Sequence, residues 1–202
     1  MGYISLDRCR KVSLEELREL AEEARGEIDK VYAHWTAGRY SQAFDYYHVL
    51  VDNDGAIYVT TEDFTRTKSH TYGRNYRAVG ISMMCAYGAI AAYNGKDSDL
   101  GEYPPTLLQI EALAQATAIL SIALGLEIDR ENFMTHCEAA WEDGYGVPHG
   151  TYVNGVYQGD PDLRWDLWFL PDMYDGEKMK PGGDLWRGKA AFYKRQWGVR
   201  GD

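Results

Sequence analysis

The chain is poor in cysteine and in positive charge, and each shortage closes off a class of protein. Three cysteines, Cys9, Cys85 and Cys137, are too sparse and odd in number for a disulfide framework. Lys and Arg total 21 against 31 Asp and Glu, giving a formal charge of −10 and a pI near 5.0. A nucleic-acid binder needs a basic face, and none stands out before Gly176, so no nucleic-acid partner is expected. The average charge also argues against long-range steering to an anionic membrane. No run is expected to approach transmembrane length, and no membrane partner is expected. The opening stretch, MGYISLDRCRKVSLEELREL, has no apolar signal core and becomes charged at once. Cytoplasmic synthesis without a signal peptide is the expectation, and action elsewhere requires a delivery route.

What is present is ordinary globular material with one bias. Hydrophobic residues are 45% and charged residues 26%, and 202 residues suffice for one full core. Aromatics reach 13%, carried by 16 Tyr and 6 Trp. Rings with a polar tip suit a groove for sugars or peptides, and they also fill ordinary cores. The tail from Gly176 differs in charge. It carries Lys178, Lys180, Arg187, Lys189, Lys194, Arg195 and Arg200 against Glu177, Asp184 and Asp202. A basic docking helix or a helix packed on the sheet would both fit, and packing on the sheet is the preferred reading.

Along the chain, helix and strand signals alternate. Ser13 with Glu16 is a capping-box pattern that opens an amphipathic helix ending near Gly26. IDKVYAHW reads as a strand, DYYHVLV–DNDG–AIYVT as a hairpin, and AVGISMMCAY as an apolar strand in which Gly80 permits close backbone approach. The polar stretch TEDFTRTKSHTYGRNYRA between the last two reads as a loop. Thr106 with Gln109 opens a long helix that Gly125 ends. NFMTHC reads as a short strand, followed by a Gly- and Tyr-rich excursion, RWDLWFLP, a Gly/Pro-rich linker and a last helix around Asp184–Gln196. The pattern implies an α/β fold with a mixed central sheet and helices packed on it. The division read from it is a single domain over 1–202. Its core spans 28–170, its N-terminal helix 13–26, and its C-terminal linker and helix 171–202.

Three residues stand out chemically: His34 ending one strand, His136 ending another, and Asp166 in RWDL. Two imidazoles and a carboxylate with one open position form a catalytic zinc set. Their separations are long, and a lone strand-end histidine is also a common packing residue. His136-Cys137-Glu138 has the H-x-E look of a zinc deaminase, but no P-C-x-x-C follows, and H-E-x-x-H is absent. On a strand Cys137 would face away from His136, as a packed thiol.

Six pieces in order carry a resemblance: HWTAG, YYHVLVDNDGAIY, SHTYGRNYRAVGISMM, PPTLLQIEALAQATAIL, NFMTHCEAA and RWDL. The chain resembles the zinc N-acetylmuramoyl-L-alanine amidases of the amidase_2 type, a superfamily that includes phage lysozyme-type amidases and peptidoglycan recognition proteins. The resemblance implies a zinc cofactor held by His34, His136 and Asp166, with Asp160 and Asp162 as nearby alternatives for the third position. It implies Tyr47 as the catalytic tyrosine. Arg164 stands where many members carry a catalytic lysine, and an arginine there can stabilise an oxyanion but cannot shuttle a proton. His70 and Asn75 match the loop that lines the substrate groove, and Trp35 and Thr36 would shape its wall. His48 and His149 match no ligand slot. The implied reaction is hydrolysis of the amide between N-acetylmuramic acid and L-alanine, on intact wall after release or delivery, or on soluble muropeptides in the cytoplasm. A lysin of phage or prophage type, or a delivered lytic enzyme, fits these features. The rival is a recognition protein that holds peptidoglycan without cutting it. The implied partner is peptidoglycan or a muropeptide; the residues give no oligomeric state.

Overall fold

The computed structural model describes residues 2–147, 150–158 and 163–198. His149, Asp160 and Asp162 lie outside them. Helices α1 (Leu14–Glu23), α2 (Leu107–Leu124) and α3 (His136–Glu142) each begin on a capping box, formed by Ser13 with Glu16, Thr106 with Gln109, and Thr135 with Glu138. In each, the cap hydroxyl and the third residue's side chain satisfy each other's backbone N–H groups, which fixes where the helix starts. Gly125 ends α2 at φ +74°, a conformation that glycine adopts without steric cost.

A mixed sheet of six strands forms the centre: β1 (Arg10–Val12), β2 (Lys30–Trp35), β3 (Val49–Val51), β4 (Ile57–Val59), β5 (Ala78–Met83) and β6 (Phe133–Thr135). Their spatial order is β1-β4-β3-β5-β2-β6. The hairpin β3–β4 and the pair β1–β4 are antiparallel, whereas β3, β5, β2 and β6 run parallel. All six residues of β5 are buried, as are five of the six in β2, which is why both read as near-continuous apolar runs rather than alternating ones. Ala33 pairs with Thr135, so the C-terminal ends of the adjacent parallel strands β2 and β6 lie side by side. Open parallel sheets build ligand sites at that end.

Two expectations need correcting. The first concerns membrane-length runs. Helix α2 is 18 residues at mean hydropathy 1.6, long and apolar enough by length and composition to cross a membrane, yet 72% of it is buried inside the protein. It packs against α1 on one side, α4 (Gly182–Gly198) on another, and strands β5 and β3 below. A helix covered on several sides is apolar around its circumference. The second concerns the stretch from residue 171, after RWDLWFLP, where a linker was expected. Strands β7 (Phe169–Asp172) and β8 (Lys178–Pro181) form an antiparallel hairpin there. Its turn takes positive φ at both Gly176 and Glu177, and Pro181 sits at a strand end where it withholds no ladder bond. The tail helix does pack, but chiefly on α2 rather than on the sheet: fully buried Trp186 donates from Nε1 to Thr117 Oγ1 of α2 at 2.9 Å.

Candidate metal centre

His34 is the fifth residue of β2 and is fully buried. His136 does not end a strand, as expected from NFMTHC; it is the first residue of α3. The reason is local. Thr135 caps the helix by accepting the Glu138 N–H, so the strand stops at Thr135 and the chain is helical from His136 onward. Cys137 therefore lies in α3 as a buried free thiol, and burial pushes its ionisation well above the ordinary thiol range. Asp166 sits in a tight turn closed by the Trp168 N–H on the Trp165 carbonyl at 2.9 Å. Leu167 at its second corner takes φ +59°, a strained conformation for leucine that its complete burial in the core offsets.

These three elements bring three basic atoms together. His34 Nδ1 lies 3.1 Å from His136 Nδ1 and 3.1 Å from Asp166 Oδ2, and His136 Nδ1 lies 3.2 Å from the same oxygen. Protons cannot satisfy all three edges. If both imidazoles donate to the carboxylate, their two N–H groups face each other across the third edge. A cation at the centre satisfies every edge at once. Donors on one face of a tetrahedral zinc with bonds of about 2.0–2.1 Å stand roughly 3.3–3.4 Å apart, close to the spacing seen. Burial holds His34 down to about 4, with the neighbouring His136 acting in the same direction and Asp166 opposing. Burial alone would raise Asp166, but His136 and His34 overcome it and hold the carboxyl well below its usual range. A neutral imidazole and an ionised carboxylate are the ligand forms a metal requires. The residues present fit zinc.

The triad opens into a cavity of about 560 Å³ whose walls include Trp35, Thr36, Tyr46, Tyr47, His70 and Arg164. Tyr47 precedes β3, which starts at Val49 rather than earlier, and its ring centroid lies 5.1 Å from that of His34. Burial, reinforced by Asp166, pushes the Tyr47 phenol well above its ordinary range. Arg164 lies close enough for its charge to disfavour protonation of His34 and to favour ionisation of Tyr47. Trp35 meets Trp165 edge-on at 4.8 Å. The Thr36 hydroxyl accepts the Gly38 N–H at 3.1 Å, which ties it to its own turn. His70 packs on Gly80, where a Cβ would lie 2.6 Å from the His70 ring. Asn75 does not line the cavity. Its Oδ1 accepts the His70 and Thr71 N–H groups at 3.0 and 2.8 Å and so shapes the loop that carries them.

Several participants were not singled out from the sequence. Thr71 Oγ1 stands 3.0 Å from His70 Nδ1 and 3.4 Å from His34 Nε2, linking the two rings. Its position beside His70 in SHTYGRN was the available signal. Trp165 lies between Arg164 and Asp166 and shares their exposure to the cavity. His48 makes a different set of contacts: Nδ1 accepts the Gly80 N–H at 3.0 Å and Nε2 donates to the Arg66 carbonyl at 2.8 Å.

Residues 24–149 match the family model described as N-acetylmuramoyl-L-alanine amidase, Amidase_2. The match includes His34 and His136 and ends before Arg164 and Asp166. No curated protein matches the chain. Among solved structures, the endolysin amidase LysCS from Clostridium intestinale URNW is 16% identical, with 69% of this chain and 79% of that one covered at a TM-score of 0.40. The Ph2119 endolysin from Thermus scotoductus MAT2119 bacteriophage is 16% identical over 65% of this chain and 78% of that one, at 0.42. The human recognition protein PGRP-IBETAC, solved with a glycosamyl muramyl pentapeptide, is 21% identical over 56% and 74%, at 0.39.

Proposed function

The chain belongs to the N-acetylmuramoyl-L-alanine amidase family Amidase_2, and from that membership we propose that it is a zinc-dependent, lysin-type hydrolase. Its substrate is peptidoglycan, and the bond cut is the amide between N-acetylmuramic acid and the L-alanine of the stem peptide. The observation that carries this reading is the buried triangle of His34 Nδ1, His136 Nδ1 and Asp166 Oδ2, open to a cavity large enough for a muropeptide fragment. These three atoms would hold the ion. The chemistry zinc supplies at such a set is Lewis acidity toward water and toward the amide carbonyl.

The remaining residues act on the substrate. Arg164 offers the planar donor fork of a guanidinium and serves as a fixed donor to the amide oxygen as negative charge develops there. It cannot take up the proton that a lysine in its place could. Tyr47, with its phenol held protonated, is a second donor facing the same space. Trp35 and Tyr46 offer ring surfaces against which a sugar or peptide can pack. Asn75 keeps the His70 loop in shape from behind.

The test is mass spectrometry of purified peptidoglycan after incubation with the zinc-loaded protein. The expected products are stem peptides with a free L-alanine amine and glycan strands bearing free lactyl carboxylates, both lost when a chelator is added. Peptidoglycan that is bound and recovered uncut would replace the enzyme with a recognition protein.

A further inference from the structure

The two imidazoles of the centre are held differently. His34 has Thr71 Oγ1 at 3.4 Å from its second ring nitrogen. His136 Nε2 is buried and, among the described residues, has no hydrogen-bond partner. A metal-binding imidazole is usually oriented through its second nitrogen. His136 is instead aimed by its backbone, the junction between β6 and α3.

That junction is gripped from α4. Glu138 Oε2 accepts the Thr135 N–H at 2.9 Å, closing the capping box that starts at the residue before His136. Arg187 takes the same carboxylate in a fork, Nη1 to Oε2 at 2.7 Å and Nη2 to Oε1 at 2.8 Å. Its Nη1 also donates to the Phe133 carbonyl at 3.1 Å. One arginine, only 9% exposed, thus ties chain positions on both sides of His136. Gly183 makes room for this, since a Cβ there would lie 2.4 Å from Glu138 Oε1. Gly182 touches the other side of the centre. Its N–H donates to the Trp168 carbonyl at 2.9 Å, and a Cβ on it would lie 2.0 Å from the carbonyl oxygen of Leu167, the residue after Asp166. The start of α4 is therefore braced against the backbone beside two ligands. A buried ion pair adds little net stability over an apolar pair of the same shape, but a planar fork fixes direction.

Resting on the metal site of the proposed function, we infer that Arg187 is a positioning residue. Through Glu138 it sets the junction that points His136 Nδ1 at His34 and Asp166, and so α4 sets the metal affinity of the centre.

The experiment measures zinc affinity by chelator competition, together with the visible spectrum of the cobalt(II)-loaded protein. It uses full-length variants whose near-UV circular dichroism is native without metal. Arg187→Lys keeps the charge and loses the fork; Arg187→Met keeps an apolar stem and loses both. Zinc binding is expected to weaken about 10–100-fold, less for Lys than for Met, with an altered cobalt spectrum. Turnover should fall at limiting zinc with KM unchanged and recover at excess zinc. Asp184→Ala removes only the exposed partner that Arg187 Nη2 meets at 3.0 Å and should leave affinity unchanged. Folded Arg187→Lys and Arg187→Met with wild-type affinity and spectrum would overturn the inference. If neither folds, Glu138→Gln is read in the same way; wild-type affinity there, or failure of all three to fold, assigns the pair to the scaffold and overturns it as well. A wild type that binds zinc and leaves peptidoglycan uncut removes the proposed function alone, because the affinity readings need no substrate.

Discussion

His34 and His48 lie in the same sheet region, both fully buried, and burial holds both down to about 4. Their surroundings differ. His48 meets one backbone donor and one backbone acceptor, so a single neutral tautomer satisfies both ring nitrogens. His34 points Nδ1 at a second imidazole nitrogen and a carboxylate oxygen, each 3.1 Å away, and no placement of protons satisfies that set. Burial and a depressed basicity therefore do not mark function, since a packing histidine shows both. Function is marked by basic atoms that converge on a point where only a cation can satisfy them.

The largest effect would break this comparison outright. His34→Ala should lose both bound zinc and amidase turnover, whereas His48→Gln should keep the metal at one ion per chain. Elemental analysis after dialysis against a weak chelator reads both. Full zinc occupancy in His34→Ala would erase the distinction between the two histidines. Asp166→Ala should behave as His34→Ala does, while Asp160→Ala and Asp162→Ala should retain zinc. The reverse result would move the third ligand upstream in QGDPDLRWD.

A smaller effect separates holding the metal from acting on the substrate. Arg164→Ala should lower kcat by about 10²–10³ without releasing zinc, the usual cost of removing one donor to a developing oxyanion. Arg164→Lys should recover part of this, because the charge returns without the fork. Tyr47→Phe keeps the ring beside His34 and removes only the hydroxyl, so its rate loss reports the phenol donor alone. Steady-state kinetics on a muropeptide with zinc analysis of each variant decides the matter, and wild-type turnover in Arg164→Ala would leave that residue outside the chemistry.

The parts legible in the sequence were those written in neighbouring residues. The capping boxes at Ser13 and Thr106 and the Asp-Gly turn before β4 are short-range signals, and the structure places helices and a hairpin where they point. The same rule, applied to Thr135 and Glu138, would have turned His136 from a strand end into a helix start; the apolar run before it masked the signal. Asp166 stood out beside the two histidines by its chemistry, but its assignment as third ligand came from resemblance, because nothing local says that RWDL folds back to a strand 132 positions earlier. The turn strained at Leu167, held by the Arg164 N–H on the Tyr145 carbonyl before it and the Gly182 N–H on the Trp168 carbonyl after it, brings Asp166 there. The β7–β8 hairpin was hidden because its Gly and Pro residues resemble a linker, although Gly176 occupies the turn, Pro171 lies within β7, Pro181 ends β8, and Gly182 and Gly183 open α4. The Arg187–Glu138 pair, 49 residues apart, leaves no mark in sequence at all.

The smallest expected effect sharpens the comparison from the side of His48, in protein stripped of metal. Its basicity is depressed first by burial, with the Arg66 carbonyl opposing and the Lys68 charge adding to the depression. In the unfolded chain the imidazole titrates near its ordinary 6.5, and in the folded chain at about 4. Between those pH values the unfolded state binds a proton that the folded state refuses. Stability is thus fully present above about 6.5 and falls as pH drops toward 4, by at most ~1.4 kcal/mol per pH unit for this one group. Protonating Nδ1 would also cost the bond it accepts from Gly80. Glutamine at this position keeps a donor and an acceptor but does not titrate. His48→Gln should therefore be less stable than wild type at pH 7, by about 1–3 kcal/mol if its amide misses one of the two backbone partners. Its stability should then decline less steeply in acid, so that the gap between the two proteins narrows from pH 6.5 to pH 4. Urea unfolding at pH 7, 6 and 5 under chelator measures the gap. Parallel curves would mean that His48 takes up its proton in the folded state as readily as in the unfolded one, and that the neutral tautomer shared between Gly80 and Arg66 does not hold it.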